Sequence, residues 1–144
     1  GDSSKVEFQN LPAAERFTAL ASGRVDVLSR ITTVNLIRDV FEPRAMVGFS
    51  FTQVNFYDGL RFGGIPPYGQ CAENIDITSS QCKDMRICVN KGTTNMAQLG
   101  ELFPAIHIVP KDTGELALEG LVNEDCQVVA GGAHDVSAGS VEDV

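Results

Sequence analysis

Concentrated positive charge is missing from this sequence: eleven lysines and arginines are scattered among nineteen aspartates and glutamates, for a formal charge of −8 and a pI near 4.6. Contact with a phosphate backbone needs basic residues gathered on one face, so nucleic acid is excluded as a partner. Long apolar runs are missing too; none approaches the roughly 18 residues of a membrane span, and no basic start followed by an apolar stretch marks a signal peptide. The chain reads as soluble, and its opening on Gly1 rather than Met reads as a processed form or an excerpt. Neither a nucleophile elbow nor a phosphate loop occurs, since "GGIPPYG" is not followed by Lys-Ser/Thr and a helix. No cofactor is therefore expected. Cys71, Cys82, Cys88 and Cys126 lack the paired short spacing of a structural zinc site, so no metal is expected.

What is present fits one ordinary domain or two small lobes in 144 residues. "VEFQNL" reads as a strand, "PAAERFTALASG" as a helix with proline at its start and glycine at its end, and "VDVLS" as the next strand, a β-α-β unit. The same grammar recurs as "RICVN", "GTTNMAQLGELF", "AIHIVP", "TGELALEGLVNED" and "CQVVAG", a fuller β-α-β-α-β half with Thr93 or Thr94 as the helix cap. Between the halves, "FTQVNFYDGLRFGGI" is extended and aromatic, and a Gly-Pro-Cys-rich loop follows from Gly63 to Asp84. Residues 1–60 are thus one partial lobe, and residues 61–144 a second lobe with the Cys-bracketed loop at 63–84. The last ten residues form a polar tail.

An even set of four cysteines admits three pairings or free thiols. Two disulfides are favoured, because Cys71 and Cys82 bracket "CAENIDITSSQC" like a clamp. That leaves Cys88 and Cys126, in the first and third strands of the second half, which are neighbours if the strand order is 2-1-3.

In open α/β sheets ligands sit beyond the carboxyl ends of the strands. Arg30, Thr32, Thr33 and Arg38 occupy that place after "VDVLS", and hydroxyls with a bidentate guanidinium are carboxylate-binding chemistry. "KGTTN" repeats the arrangement after the first strand of the second half: Gly92 permits close backbone approach, and Thr93 and Thr94 add hydroxyls at a helix start. Two such half-sites imply a cleft. Threonine before a helix is by itself more often only a cap; the recurrence carries the reading.

At these residues the sequence resembles the amino-acid-binding solute-binding proteins of ABC transporters, type II periplasmic binding fold, in their general L-amino-acid-binding branch. "RFTALASGRVDVLSRITT", a following "RD", "FYDGLRF", "ICVNKGTT" and a late cysteine before "DVS" stand in the family's order, covering residues 5–62 and 84–137. The resemblance implies a two-lobed protein that closes on a free amino acid without catalysis. Arg38, Thr32, Thr33, Gly92, Thr93 and Thr94 would meet the ligand carboxylate, and Asp135 is the nearest match to the family's ammonium partner. It also implies an extracytoplasmic setting, in a periplasm or an oxidising lumen, and a membrane transporter as partner. Measured against the family, the chain begins after the first strand and helix of lobe one and stops before the segment that returns to it. Ile31, Val34 and Ile37 stand where the family is polar or aromatic. A partial lobe leaves apolar surface that a larger assembly would cover, which supports the alternative of a structural or accessory subunit without a ligand.

An enzyme is the third reading, resting on His107, His134 and Asp135. His107 in a strand reads as a satisfied core or edge histidine. His134 and Asp135, adjacent in an extended segment, point to opposite sides and form no dyad by themselves. Phe56 and Tyr57 either pack a hinge or line a cleft.

Overall fold

The computed structural model describes residues 3–133 and residue 136, and divides the chain into two units, residues 1–55 and residues 56–144. His134, Asp135 and most of the polar tail lie outside the described residues.

The second unit is built on a four-stranded sheet of order β1-β4-β2-β3, formed by β1 (Leu60–Gly64), β2 (Ile87–Asn90), β3 (Ile108–Lys111) and β4 (Val128–Gly132). β2 runs parallel to both β3 and β4, with Cys88 opposite Val109 on one side and Val129 on the other, while β1 closes the edge antiparallel to β4. The three parallel strands therefore stand in the 2-1-3 order on which the cysteine pairing rests.

Alternation along β2 divides the core in two. Ile87 and Val89, with Val128 and Ala130 of β4, face Leu99 of α4 (Thr94–Leu102), Phe103 and Met85. Cys88 and Val129 face the other way, against Ala117 of α5 (Gly114–Val122) and Cys126. A strand whose Ile87, Cys88 and Val89 are all 0% exposed is buried on both faces, and a helix on each face is what such a strand requires. Both helices begin at a threonine cap: Thr93 Oγ1 and Thr113 Oγ1 each accept a hydrogen bond from the backbone three residues on, at 3.2 Å.

Disulfides pin each face. Cys71–Cys82 spans 5.7 Å between Cα atoms and Cys88–Cys126 spans 5.8 Å. Inside the Cys-bracketed loop lies a short helix absent from the sequence reading, α3 (Tyr68–Glu73), whose Cys71 and Ala72 are buried in the first core. His107 ends a 3-10 turn (Ala105–His107) rather than lying in β3, and its ring Nδ1 is 2.6 Å from the carbonyl of Met85. It is the satisfied core histidine. Asp58 accepts from the backbone of Gly59 and of Ala133, tying the start of β1 to the end of β4.

The first unit holds α1 (Arg16–Ala21) and α2 (Leu36–Val40) and, among the described residues, no ladder. The strands expected at "VEFQNL" and "VDVLS" are a correction: the one strand pairing here is an isolated bridge between Glu42 and Val47. Propensity makes those segments extended, but a strand exists only as a pair, and Phe8 and Val27 stay 90% and 77% exposed instead of facing a neighbour.

Two outcomes test this account. A Cβ on Gly120 would lie 2.8 Å from Cys88 Sγ and 3.1 Å from Lys111 Cε, whereas one on Gly100 in α4 meets nothing within 4 Å. Gly120→Ala should therefore destabilise by about 1–3 kcal/mol, while Gly100→Ala should stabilise by about 0.5–1 kcal/mol, both read from urea unfolding. Backbone N–H groups of Ser79 and Thr78 hold the Asp76 carboxylate down to about 2, from an ordinary 3.8. Its stabilising effect is thus complete above the ordinary value and lost as pH falls through about 2. An NMR titration of Asp76 with a midpoint near 3.8 would refute it.

Candidate ligand-binding site

In the first unit one of the sequence-predicted residues, Arg38, stands against an aromatic ring. The Asn35 side chain caps α2 by accepting from the backbone N–H of Arg38 at 2.9 Å, which fixes where the Arg38 side chain leaves the helix. That side chain turns back over Phe17 of α1, its guanidinium carbon 4.9 Å from the ring centroid, and donates to the carbonyl of Thr33 at 2.8 Å. Arg38 is 7% exposed, and among the described residues no carboxylate lies within ion-pair distance of it. Thr32 Oγ1 is buried with no hydrogen-bond partner. The structure thus sets the Arg38 guanidinium against the Thr33 carbonyl and leaves the Thr32 hydroxyl buried without a partner elsewhere in the same unit, two groups with capacity for an anion. Arg30 is spent differently, donating to the carbonyl of Leu11.

Sequence reasoning missed Arg16. It is 3% exposed, its guanidinium carbon lies 5.0 Å from the same Phe17 ring, and it donates to the carbonyl of Ala13 at 2.9 Å while its Nε has no partner. Burial, then the positive charges of Arg38, Arg30 and Arg44, pull its pKa down to about 10, with Glu42 acting in the opposite sense. Arg38 is lowered by burial first and by Arg44, again against Glu42. Both stay charged at neutral pH. Only aromatic Phe17 at the end of "PAAERF" signalled that a ring would stand beside arginine.

In the second unit Gly92, Thr93 and Thr94 lie where β2 gives way to α4. Gly92 is buried with φ +78°, a conformation that favours glycine. Thr93 is committed to structure, donating to the carbonyl of Asn90 at 2.7 Å and accepting from Met96 N at 3.2 Å. Thr94 opens the helix. Lys91 is paired with Asp112. Asn90 was another omission: its Oδ1 is buried without a partner at the carboxyl end of β2. Asp135 lies outside the described residues, and Phe56 and Tyr57 are 59% and 87% exposed.

Among the described residues no cluster of histidine, cysteine and acidic side chains could hold a metal ion, and no helix is long and apolar enough to cross a membrane. No family model matches the chain. Over 104 residues it is 38% identical to the general L-amino acid-binding periplasmic protein AapJ of Rhizobium johnstonii, covering 72% of this chain and 27% of that protein. Over 135 residues it is 33% identical to the putative amino-acid ABC transporter-binding protein YhdW of Escherichia coli, covering 90% of this chain and 36% of that one. A solved ABC transporter periplasmic binding protein from Brucella ovis, with glutathione bound, superposes with a TM-score of 0.68 at 31% identity, over 96% of this chain and 41% of that one. The chain spans about a third of the length of the curated relatives it matches. Its α/β architecture is that of the type II periplasmic binding proteins.

Thr93 offers a direct check on the local geometry. Thr93→Ala should cost about 0.5–2 kcal/mol of stability by uncapping α4, and Thr93→Ser should restore it. Equal stability of all three proteins in denaturant would show that the cap contributes nothing.

Proposed function

We propose that this chain, a homologue of the amino-acid-binding periplasmic proteins of ABC transporters, binds a free amino acid outside the cytoplasm for delivery to such a transporter. Residues 1–55 would belong to one lobe of the binding protein and residues 56–144 to the other. The observation that carries the reading is Arg38: a buried guanidinium packed on Phe17 that donates to the backbone carbonyl of Thr33. A buried charge without an acid is costly unless a counterion arrives, and a carboxylate fits its fork in a bidentate pair. Thr32 Oγ1, buried and unpartnered in the same unit, would add a donor.

Thr33, and in the second unit Gly92, Thr93, Thr94 and Asp135, complete the proposed ligand set. Gly92 and Thr94 serve through backbone at the start of nine-residue α4, where the helix dipole favours negative charge. The role is binding without bond-making. Two disulfides support an oxidising compartment, where such bonds persist.

Calorimetry with a panel of free L-amino acids tests the proposal. At least one should bind, and Arg38→Ala should weaken it by on the order of 2–5 kcal/mol. Arg38→Lys should also bind poorly, since one ammonium cannot reproduce the fork. Heat with no amino acid at millimolar concentration, or undiminished binding by Arg38→Ala, would overturn it.

A further inference from the structure

Asp58 is the one aspartate in this chain followed by glycine, and no asparagine precedes glycine anywhere in it. The pair lies in "FYDGL", immediately before β1, and both residues are exposed. The carboxylate and the next backbone nitrogen are already in contact: Asp58 Oδ1 accepts from Gly59 N at 2.9 Å, and from Ala133 N at 2.8 Å. The Gly59 N–H is thus spent on the preceding side chain and not on a strand, since the ladder between β1 and β4 begins at Leu60 opposite Gly132. A Cβ built on Gly59 would meet nothing within 4 Å, so the residue is uncrowded as well.

The other described aspartates lack this combination. Asp26, Asp39, Asp76 and Asp112 precede Val27, Val40, Ile77 and Thr113, whose branched Cβ atoms crowd the backbone nitrogen that would have to reach the carboxyl. Asp84 and Asp125 precede Met85 and Cys126, which are 0% and 1% exposed and fixed in the core. The Asp76 carboxylate is also drawn past its neighbour, to the N–H groups of Thr78 and Ser79 at 3.0 Å. Only beside Asp58 does a residue without a side chain leave the approach open.

We propose that Asp58 is a modification site at which the chain converts itself to isoaspartate, releasing the tie between the start of β1 and the end of β4. Gly59 N bonds to Asp58 Cγ while the hydroxyl of the protonated carboxyl leaves, taking the nitrogen's proton with it as water. Water then adds to the main-chain carbonyl carbon of Asp58 in the cyclic imide and breaks its bond to Gly59 N. The chain now runs through Cβ and Cγ, and the former main-chain carbonyl is the free carboxyl. One water is lost and one gained, so nothing is oxidised or reduced and no other reactant takes part. The backbone gains a methylene at the entrance to β1, and the Cγ oxygen that accepted from Ala133 becomes part of a peptide bond. The inference is independent of the amino-acid-binding reading, and the failure of either leaves the other standing.

The test is incubation of the 144-residue chain under native conditions at mildly acidic pH. Electron-transfer dissociation of its peptides in a mass spectrometer then tells isoaspartate from aspartate at each position. Isoaspartate should accumulate at position 58 on the order of tenfold faster than at any other aspartate, a barrier lower by about 1.4 kcal/mol. Gly59→Val, which places a branched Cβ beside the nitrogen, should slow it by about the same factor. Asp58→Asn, which releases ammonia in place of water, should react faster and register as a gain in mass. In the isomerised chain, separated from its parent by chromatography, the Ala133 amide should lose protection from hydrogen exchange while the amides of β2 keep theirs. Circular dichroism establishes that each variant is folded, and Asp58→Asn carries the test if Gly59→Val is not. No excess of isoaspartate at position 58, an undiminished rate in Gly59→Val, an Asp58→Asn chain that keeps its mass, or unchanged exchange at Ala133 after isomerisation would overturn the inference.

Discussion

The two-sided burial of β2 governs the second unit. Ile87 and Val89 point into one core and Cys88 into the other, so the strand has to be parallel, central and covered by a helix on each face. The caps at Thr93 and Thr113 follow from that demand, because α4 and α5 start directly after β2 and β3 and their first N–H groups need partners. Placing β2 in the middle also sets where its carboxyl end opens. Gly92 at φ +78° turns the chain there, and Asn90 Oδ1 is left buried beside the turn. The features assigned to ligand in this unit are consequences of a core rule applied at one strand.

Electrostatics organises the first unit in the same way that packing organises the second. Phe17 is the fixed object: its ring lies 5.3 Å from that of Phe49, tilted against it, and carries two arginines. An aromatic ring is an apolar neighbour that tolerates cations, which lets guanidinium groups be buried where aliphatic side chains would expel them. What remains unbalanced is charge, and an unbalanced buried charge is a common sign of a binding site because its counterpart is supplied from outside.

The legible parts of the sequence were those in which local signals agree with tertiary demand. "RICVN" through "CQVVAG" alternates apolar runs with capped helices, and the observed order, with both disulfides, matches that pattern. "VEFQNL" and "VDVLS" were misread because apolar alternation reports a preference for extended backbone and says nothing of a partner strand. Arg38 was legible as a candidate through the Thr-Thr cluster before it. Arg16 was not, since a lone arginine in an amphipathic helix reads as a solvated face; here it is buried, packed on the Phe17 ring and bonded to the Ala13 carbonyl. Asn90 was hidden for the opposite reason, as the polar end of a strand ordinarily faces water.

Cys88 and Cys126 close a covalent ring through the backbone that encloses β3, α4 and α5. The exposed turn at Asn123–Asp125 after α5, where Glu124 adopts φ 60°, lies inside that ring. A peptide bond cut there by a protease leaves the two fragments as one molecule, and β4 stays attached to the strand it pairs with. In a compartment rich in proteases the ring converts what would be chain scission into a local nick. The damaged protein keeps the sheet that carries Gly92 and the start of α4, and only a reductant can separate its halves.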